Sequence, residues 1–137
     1  MKKLFTVIPV LVAMALASSV QAAGGESKEA DPEGITYVEL APAFVTNFIS
    51  SKIRYLKADV TLKVKGAATA DAVNRHVPFI RNNLVMLFSR QEEEALNSPE
   101  GRQHLKEEAL QEVINALQAE SEPVDVQEVL FTSFIVD

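Results

Sequence analysis

The 137-residue chain has no cysteine and no tryptophan, only two histidines, and only five glycines. Without cysteine there can be no disulfide, thiolate metal site, cysteine nucleophile or lipid carried on an N-terminal thiol. None of the glycines falls in a run that could cradle phosphate. No serine sits in a G-x-S-x-G elbow. His76 and His104 stand 28 positions apart in separate segments, and neither has a His or carboxylate at i+3 or i+4 in a known metal pattern. Glu107 and Glu108 follow His104, and adjacent acids on a charged helix read as solvated surface. No nucleophile, base and oxyanion donor come together, so neither enzyme nor cofactor is expected. A hydrolase would need an acid, a histidine and a serine to converge in one pocket.

Positive charge is also scarce where it would matter. All 19 acids lie beyond residue 25, and residues 23–137 hold 11 basic against 19 acidic side chains, a net charge of −8. That balance argues against a sequence-independent grip on nucleic acid and against docking on anionic lipid. The 47 % apolar content is enough to build one core, and the length fits one domain.

Met1-Lys2-Lys3 is a short basic start. Leu4 to Leu16 is apolar except for Thr6, and Val20-Gln21-Ala22 has the small-x-Ala form of a signal-peptidase site. This predicts a signal peptide over residues 1–22, cut between Ala22 and Ala23. The alternative is an uncleaved anchor, since Leu4 to Ala23 as a helix would reach about 30 Å. Membrane association is expected only in that second case. Either way the remainder is exported. Residues 23–34 carry Gly24, Gly25, Pro32 and Gly34 among charged side chains, and read as a flexible linker.

The exported domain is expected over residues 35–137. Residues 35–40 and 44–49 read as short strands separated at Ala41-Pro42. Residues 55–65 alternate strictly, with Leu56, Ala58, Val60, Leu62 and Val64 on one face. The period then changes. Ala70, Val73, Val77, Ile80, Leu84 and Leu87 form one helical stripe, with Thr69 as its expected N-cap. The stripe reads as core rather than as a dimer seam. Pro78 lies inside it and predicts a kink or a two-piece helix near residues 74–77. Residues 90–97 read as a polar loop, with Glu92 to Glu94 either simply solvated or a docking patch for a basic partner. Ser98-Pro99-Glu100 opens a second helix: cap, proline, first-turn acid. Its buried stripe is Leu105, Ala109, Leu110, Val113, Ile114 and Leu117. Residues 126–136 are apolar on both faces, which predicts a central strand covered on both sides. The expected class is α+β: a mostly antiparallel sheet of about four strands covered by two main helices, in the order β-β-β-α-α-β.

Four segments in order carry a resemblance. They are the alternating strand ending Lys63-Val64-Lys65; HVPFIRNNLVMLFS (76–89), with Pro78, Ile80, Arg81 and Asn82; SPEGRQHLKEEALQEVINAL (98–117), with Glu100, Gly101, Leu105, Ile114 and Asn115; and VQEVLFTSFIVD (126–137), with Val129, Leu130, Phe131, Thr132 and Phe134. From about Tyr37 to Val136 the chain resembles the flagellar basal-body-associated FliL family. That resemblance implies a fold like the stomatin/prohibitin-type domain and a place beside the flagellar motor in motility. It also implies a role in supporting or regulating the stator units by binding, with stator and basal-body proteins as partners and assembly into a homo-oligomeric ring. A general periplasmic scaffold domain with a similar fold but no flagellar role is the competing reading. Arg81 lies beside the apolar stripe and is expected to tie its helix to a strand end or to backbone carbonyls near the turn; the alternative is that it faces a neighbouring subunit or the stator.

Overall fold

Residues 34–137 are described by the structure, a computed structural model. The signal peptide, its cleavage site at Ala22 and Ala23, and all but the last residue of the linker lie outside them.

The strand with the strictest alternation organises the domain. β3 (Tyr55–Lys65) buries Leu56, Ala58, Val60, Leu62 and Val64 completely. Along one of its edges lie β1 (Ile35–Glu39) and β2 (Phe44–Asn47), end to end and both antiparallel to it. Along the other lies β4 (Val126–Val136), also antiparallel. Among the described residues the central strand is therefore β3, and β4 is an edge. This corrects the central position expected for residues 126–136.

The cause is a pair of register shifts. β4 skips Thr132 against Asp59/Val60 and Gln127 against Lys63/Val64. Each shift reverses which face a residue meets. Val126, Val129, Phe131, Phe134 and Val136 consequently pair with the core-facing residues of β3, although they do not alternate strictly. Apolar side chains that look two-sided in the sequence are largely one-sided in space.

Gly66 ends β3 with φ 86°, a left-handed conformation that glycine adopts without cost. It is also the N-cap of α1 (Ala67–Arg75), so Thr69 falls inside the helix and not at its cap. A glycine that both breaks a strand and starts a helix moves the helix start three residues earlier than Thr69 suggested.

α1 stops at His76 and α2 (Val77–Ser89) restarts at once, placing Pro78 in the first turn, where its missing N–H costs nothing. The proline thus divides the stripe into two helices, as its position predicts. Ile80, Leu84 and Leu87 are fully buried, as is Phe88, off the stripe. The segment expected to be a loop contains α3 (Glu93–Asn97), which buries Leu96. Glu93 N–H donates to the Ile49 carbonyl at 3.1 Å, so the turn after β2 and the start of α3 hold each other.

α4 (Pro99–Ala119) begins as expected: the Ser98 hydroxyl accepts from the Gly101 N–H at 3.0 Å. It buries Leu105, Ala109, Val113, Ala116 and Leu117. Among the described residues the expectation of two main helices becomes four helices, in the order β-β-β-α-α-α-α-β.

α2 packs against α4, and both lie on the same face of the sheet. Phe44, Phe88, Phe131 and Phe134 form a relay of ring contacts from β2 through α2 to β4, with centroids 5.5, 5.9 and 5.1 Å apart. On the other face Tyr37 (60 % exposed), Val45 (61 %) and Ile135 (52 %) stand among Lys57, Lys63 and Lys65, with no described helix over them.

Candidate interaction site

The family-pattern residues mostly hold the domain together. Arg81, on α2, donates from Nη1 to the Leu40 and Pro42 carbonyls, both at 2.7 Å. Its guanidinium carbon lies 4.0 Å from the centre of the Phe44 ring. One cation therefore holds both sides of the β1–β2 turn and covers an aromatic face, which its planar fork permits and a lysine could not reproduce.

Ile80 and Leu105 are buried in the core. Phe131 and Phe134 lie at the β4 end of the ring relay. Gly101 sits where α4 passes against α3. A Cβ there would lie 2.1 Å from the Ala95 carbonyl oxygen. Pro78 is exposed at the start of α2. Asn82 and Asn115 are exposed on α2 and α4, and Asn82 Nδ2 lies 3.7 Å from Met86 Sδ. These residues do not converge on one pocket.

The histidines are also apart. His76, at the α1–α2 junction, meets Glu122 Oε1 at 3.1 Å, and Arg75 meets Glu122 Oε2 at 2.7 Å. Hydrogen bonds from Arg75 and then His76 lower the Glu122 carboxyl below its ordinary range, and the Glu122 bond raises the Arg75 guanidinium. This cluster fastens the helix junction to the turn before β4. The sequence offered no signal for it, because its members are 46 and 47 positions apart. His104 pairs with Glu108 one helical turn on, at 2.7 Å.

Among the described residues no three His, Asp or Glu side chains are grouped as a metal site would need. A hollow of about 180 Å³ lies between α4 and β4, floored by Leu110 and Val129. It is smaller than the roughly 300–1,000 Å³ of small-molecule sites. Among the same residues no helix is long and apolar enough to cross a membrane.

The sequence profile of the family described as "Flagellar basal body-associated protein FliL" matches residues 37–136. The chain belongs to the FliL family. Its similarity to other members covers most of the chain. It is 30 % identical to the flagellar protein FliL of Escherichia coli (strain K12) over 138 residues, covering 94 % of this chain and 90 % of that protein. It is 32 % identical to the flagellar protein FliL of Aquifex aeolicus (strain VF5) over 111 residues, covering 80 % of this chain and 66 % of the relative. The matched region runs from β1 to the last residue of β4, so the FliL pattern covers nearly the whole described domain. FliL is a flagellar accessory family, and the chain is accordingly a flagellar basal-body-associated protein.

Proposed function

We infer that this FliL-family chain supports or regulates the stator units of the flagellar motor, in motility, by binding and without catalysis. The observation that carries the reading is the profile match over residues 37–136, backed by relatives aligned over most of their length. The domain organisation that goes with it is a signal peptide or anchor over residues 1–22, a linker to residue 34, and a periplasmic domain from residue 35. The domain would take the stomatin/prohibitin-type fold and assemble as a ring of copies around a stator. Pro78, Ile80, Arg81, Gly101, Leu105, Phe131 and Phe134 then serve to keep the domain's shape. Asn82 and Asn115 are the pattern residues placed to meet a partner.

The test is a clean deletion complemented by a tagged copy. Swimming and swarming should change on deletion and be restored by the copy, which should collect at basal bodies. Its intact mass shows whether it begins at Ala23. Normal motility across a range of viscosities would favour the general scaffold reading and remove the motor role.

A further inference from the structure

β4 is an 11-residue edge strand, and among the described residues only β3 pairs with it. Edges of this length, about 35 Å, are usually guarded by lysine, proline or charge pointing inward. VQEVLFTSFIV has no lysine, no arginine and no proline. Its bulges at Gln127 and Thr132 interrupt the edge and leave regular stretches between and beyond them.

The phase of the ladder says which backbone groups are open. Tyr55 and Asp137 exchange both hydrogen bonds, at 3.0 and 2.9 Å, and Lys65 N–H donates to the Asp125 carbonyl at 2.8 Å. On its opposite side β3 uses the Val60 carbonyl to accept from Leu40, at 2.9 Å. Odd-numbered residues of β3 therefore bond toward β4. Their partners Glu128, Leu130, Ser133 and Ile135 point their backbones inward. Those of Val129, Phe131, Phe134 and Val136 point to the open edge.

α4 runs antiparallel beside that edge. Arg102 stacks 4.9 Å from the Phe134 ring, Lys106 lies 3.5 Å from Glu128, and Leu110 shares the hollow with Val129. Arg102 to Leu110 spans about 12 Å of helix. Strand edge and helix flank together make a groove of the kind in which an added strand bonds to the edge and sets alternate side chains against the helix. The hollow has room for one or two side chains.

The rim selects charge. Glu107 and Glu128 line the hollow, and Glu100 continues the same flank of α4. The two cations there are engaged, Arg102 over the Phe134 ring and Lys106 facing Glu128, so that Glu100 and Glu107 have no ion pair among the described residues. A second copy's β4 would bring Glu128 and no cation into an acidic groove, so pairing of two copies through this edge is disfavoured by charge. We propose that the groove between β4 and α4 binds an extended segment of a partner protein, with alternating apolar and basic residues, as an added strand of the sheet. The proposal rests on edge, groove and charge, and does not depend on the flagellar reading.

A synthetic probe tests it on the full chain: a labelled peptide of alternating valine and lysine, about nine residues long to span the edge. Anisotropy should report binding. Amide exchange at Val129, Phe131, Phe134 and Val136 should slow about ten-fold or more, with Leu130 and Ile135 unchanged, because only the outward amides gain partners. Of two versions N-methylated at alternate residues, the one that blocks the edge-facing N–H groups should not bind and the one methylated on the solvent-facing N–H groups should still bind, while a valine–glutamate peptide should not bind. Glu107→Lys should weaken the probe about ten-fold and reduce its salt dependence. The proposal is overturned by no binding at about millimolar peptide. Equal binding of the N-methylated versions overturns it too, as do protection changes confined to the open sheet face. So does concentration-dependent self-association that protects the same four amides without peptide.

Discussion

Gly101→Ala should destabilise the domain, although helix propensity alone predicts the reverse. Gly101 lies in the first turn of α4. In an unconstrained helix, alanine is better than glycine by about 1 kcal/mol. Here the new Cβ would lie 2.1 Å from the Ala95 carbonyl oxygen and 2.7 Å from both the Ala95 carbonyl carbon and its Cα. These are backbone atoms of α3, so no rotamer change relieves the overlap. α3 would have to retreat by about 1 Å, into the range where overpacking costs about 1–3 kcal/mol or more.

α3 is not free to retreat. Leu96 is buried, Arg102 Nε donates to the Leu96 carbonyl at 2.7 Å, Glu93 N–H bonds to Ile49, and Arg54 pairs with Glu93. The Gly101 N–H donates to the Ser98 hydroxyl, and a shift of the first turn of α4 to relieve the overlap would strain that cap, whose loss costs about 1 kcal/mol. The overlap and the cap together outweigh propensity and leave a net loss of about 1–3 kcal/mol. For a domain of this size each kcal/mol lowers Tm by about 4–8 °C. Urea and thermal unfolding of Gly101→Ala, beside the exposed same-helix control Gln103→Ala, read the effect. A Gly101→Ala protein with Tm at or above wild type would refute the close approach of α3 and α4.

Thr69 is fully buried and its Oγ1 has no hydrogen-bond partner, so Thr69→Val should raise stability by about 1 kcal/mol or more in the same melts. Arg81→Ala should lower it by about 1–3 kcal/mol by freeing the Leu40 and Pro42 carbonyls, with Arg81→Lys in between; unchanged melting with lost swimming would instead make this helix face an interaction surface. The Glu122 carboxyl is held below its ordinary value of 4.5 by Arg75 and His76, so its contribution to stability is present above about pH 4.5 and lost as pH falls through the lower folded value. Glu122→Gln should flatten that acid limb in pH-dependent melts, and an acid limb identical to wild type would discount the cluster.

Much of the fold was legible because one residue period dominates each of the main elements. Five fully buried residues at period 2 define β3, and its observed ends at Tyr55 and Lys65 match the alternation. Pro78 located the break between α1 and α2, and Ser98-Pro99 the start of α4. The failures share a physical cause: long-range partners overrode local signals. Residues 93–97 are polar except for Ala95 and Leu96, and they become a helix because Ile49 and Arg54 grip the segment from 39 or more positions away. The Glu122 cluster was invisible for the same reason.

β4 shows where such reading stops and why that bears on function. A strand's period of 2 assigns faces only while the register is unbroken. Val129, Phe131, Phe134 and Val136 are spaced 2, 3 and 2, a pattern that period 2 treats as two faces and that one bulge at Thr132 turns into one. The two-sided reading made β4 central. The bulged reading puts Phe131 and Phe134 in the ring relay, leaves Ile135 exposed, and frees the far edge. The family-pattern phenylalanines are thus half-buried residues packed against the core, with backbones along an edge unpaired among the described residues. Conversely, the surface that the proposed strand addition uses is made of main chain, Glu107, Leu110, Glu128 and Val129, and of those side chains only Val129 belongs to the family pattern read from the sequence. Substituting Phe131 or Phe134 would disturb fold and edge together. Only backbone-directed probes and the rim charges can separate an interaction at β4 from the stability of the sheet that presents it.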